Sequence, residues 1–232
     1  MPIILVCKLK GGAGATTTCR ELAAAAVADG VRVGLIDLDG QGGLTRWWNR
    51  RTKDAAGTQE GEMNPALLQI AADTIPTVAA QLRARFGLLI IDSPPSVHTV
   101  IRAVAAAADL ALIPVRPTVD DLDAVGPIAR LLHGVVDFGF VQTQVPGKRS
   151  VDGAEALERL AARAAVLGRT TFRAAYSRPA ATGSTGFESD PVPKAEIGEL
   201  YGRIKERLGI GVEPDRAIPE SPDHGTVARR VA

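Results

Sequence analysis

Leu88-Leu89-Ile90-Ile91 is a continuous apolar run with no polar alternation. A strand of that kind is covered on both faces, and only layers of helix above and below a sheet provide that cover. The rest of the chain supplies them. Ile3 to Val6, Val31 to Ile36, Leu67 to Ala71, Leu110 to Val115, Phe138 to Val145 and Thr170 to Ala174 read as further short strands. Between them, Thr16 to Ala28, Leu44 to Arg51, Thr77 to Arg85, Ser96 to Ala107, Asp120 to Leu132, Ala154 to Leu167 and Glu196 to Leu208 carry helical patterns. Strand alternating with helix predicts an α/β fold, a mostly parallel central sheet with helices on both faces.

A chain of 232 residues with 46% hydrophobic and 23% charged side chains suits one domain with a sizeable core. We place that domain at 1–208. The segment 209–232 holds three prolines and no apolar period, and is expected to be a disordered tail. Thr52 to Asn64 reads as a polar loop. The 27 basic and 26 acidic side chains nearly cancel, so any nucleic-acid contact has to come from a local basic face. Cys7 and Cys19 fit no metal-binding or redox spacing and read as inert and buried, which points to a reducing, cytoplasmic setting. No apolar stretch is long enough to span a bilayer, and no membrane association is expected. The adjacent Trp47 and Trp48 place one ring toward the core. His98, His133 and His224 are scattered and suggest no metal site.

The chemistry concentrates after the first strand. Lys10-Gly11-Gly12-Ala13-Gly14-Ala15-Thr16-Thr17 lies between a strand and the opening of a helix, the context a phosphate loop needs. Glycines let successive N–H groups turn inward around an anion, and the helix start adds a favourable dipole. Gly11, Gly12, Ala13, Gly14, Ala15, Thr16 and Thr17 are therefore the nucleotide-binding candidates, and Thr16 stands where a phosphate-loop hydroxyl meets Mg²⁺. Position 15, where a lysine would reach the terminal phosphates, is Ala. A Gly-rich turn can also join strand to helix and bind nothing, so the carboxylates elsewhere decide. Asp37 and Asp39 end the second strand and share a face of an extended chain, and Asp92 ends the run that begins at Leu88. The ends of parallel strands are where open α/β sheets bind ligands.

These segments together resemble one family. Lys10 to Thr17 is similar to the deviant Walker A motif of the ParA/MinD-type P-loop ATPases, Asp37-Leu38-Asp39-Gly40-Gln41 to their switch I with Gly40 in place of proline, and Asp92-Ser93-Pro94-Pro95 to their Walker B end. Ile113-Pro114-Val115 with Pro117-Thr118 and Asp120-Asp121 continues the match. Phe187-Glu188-Ser189 with Lys194 to Ile197 resembles the small ParF-like plasmid partition proteins. The resemblance implies ATP and ADP as ligands with Mg²⁺ on Thr16, Asp37 and Asp92, partly through water. It also implies a Lys10 that reaches the nucleotide of a second copy, and an Asp39 that orients or activates the attacking water. Pro117, and Thr143 on the strand from Phe138, are its candidates for nucleotide contact.

Function follows from the same resemblance. It implies an ATPase of plasmid or chromosome segregation that forms an ATP-sandwiched homodimer, binds DNA without sequence preference, associates with the nucleoid and answers to a centromere-binding ParB/ParG-like partner. Arg130, Lys148, Arg149, Arg173, Arg178, Lys194, Arg203, Lys205 and Arg207 enrich the second half in positive charge and are its candidate DNA face. Ala15 makes the chain a poor or inactive hydrolase. The intact surroundings favour a deliberate lysine-to-alanine substitution over natural decay. The alternative is a non-catalytic, nucleotide-sensing scaffold of the same fold. The tail from His224 to Arg230 lacks the amphipathic helix of a MinD-like membrane regulator, the cysteines of a nitrogenase-type reductase are missing, and Tyr176 and Tyr201 do not make a kinase tail.

Overall fold

The strands β1 (Ile3–Val6), β2 (Val33–Asp37), β3 (Ala66–Leu68), β4 (Leu88–Asp92), β5 (Leu110–Val115), β6 (Phe138–Val145) and β7 (Val166–Thr171) form one sheet in the order β3-β2-β4-β1-β5-β6-β7. Every neighbouring pair is parallel. The computed structural model describes residues 1–8, 10–53, 65–95, 98–147 and 150–210. Most of the expected loop 52–64, the basic pair Lys148 and Arg149, His224 and the tail 211–232 lie outside the described residues.

β1 lies at the centre, with Val6 opposite Asp92 on β4 and Leu112 on β5. Its side chains alternate between two cores. Ile4 and Val6 join the cluster built with α1 (Ala15–Ala28), α2 (Gly43–Thr52) and α8 (Pro191–Leu208), where Leu22, Trp47 and Leu200 are fully buried. Ile3 and Leu5 join the opposite cluster with α3 (Ile75–Arg85), α4 (His98–Ala105), α5 (Val119–Leu132) and α6 (Val151–Ala161). Full burial on both faces is why these strands carry no polar alternation. Cys7 and Cys19 are both buried free thiols, as expected. Trp47 is wholly buried, and Trp48 is only partly so.

The second half corrects three expectations. The helix placed at Ala154 to Leu167 is α6 and ends at Ala161, while 166–171 is the edge strand β7 rather than a short strand at Thr170 to Ala174. Two 3₁₀ turns, Ala174–Tyr176 and Pro179–Thr182, follow it. Gly168 lets α8 press on that edge, since a Cβ there would lie 2.9 Å from the Cβ of Leu200. The last helix begins at Pro191, five residues before the expected Glu196. Asp190 caps it by accepting from the Val192 N–H, and Pro191 suits a first helical position because its missing donor has no partner there. A short helix α7 (Gly186–Ser189) precedes it with a Thr185–Glu188 capping box. At the far end Gly209 closes α8 in the left-handed region, and Ile210 is buried in the core.

Candidate functional site

The chain leaves β1 and turns into α1 through a loop shaped by Gly12 at φ 84° and Gly14 at φ 88°. L side chains rarely adopt that region, so these two glycines set the curl. Gly14 is the N-cap of α1, no side chain caps it, and the first turn holds no acidic residue. A helix start with uncapped N–H donors attracts an anion. The end of β6 braces the loop from below. The Thr143 hydroxyl donates to the Ala13 carbonyl at 2.8 Å, and the Gln144 side-chain amide donates to the Gly12 carbonyl at 2.6 Å. Thr143, proposed from the sequence for nucleotide contact, thus has its hydroxyl proton committed to the loop. Gln144, which the sequence did not single out, takes a left-handed φ of 53° to reach it. Ala15 is 4% exposed at the start of α1.

Behind the loop lies a buried ionic cluster. Lys8 follows β1, and its N–H donates to the Ser93 hydroxyl at 2.9 Å, tying the ends of β1 and β4 together. Its ammonium lies 2.5 Å from Asp39 and 3.1 Å from Asp92. The same Asp92 Oδ2 accepts the Thr16 hydroxyl at 2.7 Å, while the other carboxylate oxygen is buried without a hydrogen-bond partner among the described residues. Burial pushes the Asp92 carboxyl up to about 6 against the pull of Lys8 and Thr16. Burial opposes the Lys8 charge, but Asp92 and Asp39 outweigh it and raise its pKa. Burial also works against Asp39, yet Lys8 and the Gln41 N–H hold its carboxyl below the usual range.

Asp37 has a different task. Its carboxylate accepts from the Thr45 N–H at 2.9 Å, the Thr45 hydroxyl at 3.0 Å and the Asp39 N–H at 3.1 Å, so it fastens the loop after β2 to α2. Of the proposed metal residues, then, Thr16 and Asp92 touch one another and Asp37 is turned to α2. A divalent ion on Thr16 and Asp92 would meet the Lys8 ammonium on the same carboxylate oxygen. Even at an effective dielectric of about 20, each pair of like unit charges about 4 Å apart repels by about 4 kcal/mol, and a divalent ion doubles that. Asp92, Asp39 and Asp37 attract such an ion at the same time, so it would compete with Lys8 for the Asp92 oxygen that also accepts from Thr16. Among the described residues no group of three His, Cys, Asp or Glu side chains is placed to hold a metal.

A second ionic cluster stands on the outer side of the loop. Lys10 pairs with Asp121 at 2.6 Å, and the Arg116 guanidinium grips the same carboxylate with two bonds of 2.8 and 3.0 Å. Asp121 lies in the first turn of α5, beyond the Pro117-Thr118 turn, and Thr118 caps that helix. Burial works against the Asp121 charge, but Arg116 and Lys10 hold its carboxyl down at about 2. The Arg116 tip would be 3.7 Å from a Cβ at Gly12, so it borders the loop. Next to the start of α1, Gly14, Thr17, Thr143, Phe172, Arg173 and Tyr176 line a concavity. Phe172 on its rim is 73% exposed.

The basic residues of the second half divide. Arg203, Lys205 and Arg207 pair with Glu199, Asp29 and Asp137. Arg130, Arg173, Arg178 and Lys194 are exposed and pair with no carboxylate among the described residues.

The chain is 35% identical over 123 residues, 52% of its length, to the maintenance of carboxysome distribution protein A of Gloeobacter kilaueensis. It is 31% identical over 127 residues, 53% of its length, to the protein virC1 of Rhizobium radiobacter. These matches cover 51% and 52% of the relatives, so the chain spans about half the length of the curated proteins it matches. Among solved structures, the septum site-determining protein MinD of Pyrococcus horikoshii, complexed with Mg-ADP, superposes with a TM-score of 0.69 at 15% identity, over 90% of this chain and 98% of that one. No described helix is long and apolar enough to cross a membrane. Residues 1–144, which hold the phosphate loop, both ionic clusters and the bracing end of β6, match the VirC1 protein family, and the chain belongs to it, among the ParA/MinD-type P-loop ATPases related to plasmid partition proteins.

Proposed function

We propose that this chain is a nucleotide-gated partition protein with impaired hydrolysis. ATP joins two copies face to face, the dimer holds DNA without sequence preference, and a centromere-binding partner releases it. The observation that carries this reading is the curled loop at an uncapped helix start, with Ala at the one position where a lysine would meet the terminal phosphates. Backbone N–H groups bind phosphate without that lysine, so affinity for ADP survives better than affinity for ATP. Losing a charge-assisted bond costs about 1.5–3 kcal/mol, and the charge that develops in phosphoryl transfer goes unanswered. The concavity beside Gly14 has an open aromatic rim in Phe172 that suits a base. Gating follows if Lys10 exchanges Asp121 for a phosphate of the second copy, because that contact exists only in the dimer. The exposed Arg130, Arg173, Arg178 and Lys194 are the proposed phosphate-tracking face for DNA. Relatives named for chromosome partitioning and for carboxysome distribution support a positioning role, and a neighbour complexed with Mg-ADP supports nucleotide as the ligand.

One observation favours the alternative, a non-catalytic scaffold that senses nucleotide. Asp39, the residue proposed to orient water, is held by Lys8. Sedimentation of the Ala15→Lys chain with ATP and random-sequence DNA, with turnover measured alongside, separates the two. The partition reading expects a dimer, salt-sensitive DNA binding and restored turnover. A dimer without turnover leaves the scaffold, and a monomer that ignores ATP refutes both.

A further inference from the structure

We propose that Lys8 is the resident cation of the phosphate site: its ammonium holds the place beside Thr16 and Asp92 that a divalent metal would take, so nucleotide binds with little help from Mg²⁺. This deepens the nucleotide reading above and rests on it. Three observations carry it. First, Lys8 is 7% exposed, and its backbone is fixed to Ser93, so the ammonium is delivered from the rigid end of β1 rather than from a surface stem. Second, it bridges Asp39 and Asp92, which come from the ends of two other strands, and it shares one Asp92 oxygen with the Thr16 hydroxyl. Third, position 15 contributes no charge, and two further cations that border the loop, Lys10 and Arg116, are drawn to Asp121 on the outer side. An ammonium has three donors. Two are used on the carboxylates, which leaves one for a phosphate oxygen.

The test has a metal arm and a nucleotide arm. In the metal arm, Mn²⁺ binding to the nucleotide-free protein is followed by electron paramagnetic resonance for the native chain and for Lys8→Met. The native chain is expected to take up no Mn²⁺, and the variant to gain a site. In the nucleotide arm, ADP is titrated by calorimetry in EDTA and in Mg²⁺. The native affinity should change by no more than about threefold between the buffers, while Lys8→Met should lose about tenfold or more in EDTA and recover with Mg²⁺, the scale of one charge-assisted hydrogen bond. If Lys8→Met does not fold, the double variant Lys8→Met with Asp39→Asn, which removes one carboxylate along with the ammonium, carries both measurements. Native Mn²⁺ uptake equal to that of the variant, or Mg²⁺-dependent ADP binding that ignores Lys8, overturns the inference. A chain that binds ADP in neither buffer refutes the nucleotide reading, and the metal arm still decides where the cation sits.

Discussion

Two ionic clusters flank the same loop, and they are built differently. The inner one, Lys8 with Asp39 and Asp92, lies at the ends of three strands, with side chains at most 13% exposed. The outer one sets Lys10 and Arg116, 36% and 28% exposed, on a buried Asp121. The inner lysine is enclosed and cannot leave without stranding buried carboxylates. The outer lysine has solvent beside it and can exchange partners. The two lysines therefore differ in how freely each can exchange its partner.

Breaking the inner cluster should give the largest effect. Lys8→Ala leaves Asp92 buried beside Asp39 with no cation, and removing one partner of a buried pair costs about 3 kcal/mol or more. Urea unfolding of the variant measures it. A loss below about 1 kcal/mol, the scale of a surface pair, would make the two clusters equivalent.

Acid titration sharpens the contrast, because the clusters respond with opposite sign. Asp121 is held at about 2, below its ordinary value of 3.8, so its contribution is present above 3.8 and lost as pH falls through about 2. Asp92 is pushed up to about 6, so its contribution is present below 3.8 and lost as pH rises through about 6. Unfolding curves between these limits should show Asp121→Asn flattening the acid limb and Asp92→Asn flattening the limb toward neutral pH. The same limb affected by both variants would contradict the assignment.

The smallest effect belongs to Lys10→Ala. Its ion pair is part-exposed, and Asp121 keeps Arg116, so the monomer should lose about 0.5 kcal/mol or less. In the Ala15→Lys background the same change should abolish ATP-dependent dimerisation in sedimentation. A variant that dimerises as before would remove Lys10 from the interface.

The strands of the first half and the position of the loop were legible because each rests on local chemistry: an apolar run, then glycines, then a helix opening. β7 was not. Ala162 to Leu167 is rich in helix formers, and only pairing with β6 and pressure from Leu200 on Gly168 make 166–171 a strand. The start of α8 was missed because Pro191 and Pro193 are poor helix formers, and only the Asp190 cap shows that the helix opens there. In the site, Asp39, Asp92 and Thr16 were found from motif spacing and do converge. Lys8 was missed because a lysine after an apolar run reads as a solvated end. Its partners lie 31 and 84 residues away, and nothing local signals that they meet it. Gln144 was missed for the same reason, its partner Gly12 lying 132 residues away, whereas Arg116 was missed although Asp121 is only five residues on. The bonds that Asp37 accepts from Thr45 and the Asp39 N–H were not legible either, since the resemblance spoke only of a metal nearby.

The central claim is a working phosphate loop that lacks one charge at position 15. Calorimetric titration of the native chain and of Ala15→Lys with ATP and with ADP tests it most directly. The account predicts that the native chain favours ADP, and that Ala15→Lys raises ATP affinity by about one to two powers of ten, the worth of a charged hydrogen bond, with a smaller gain for ADP. An Ala15→Lys chain that binds ATP no better than the native one would contradict it.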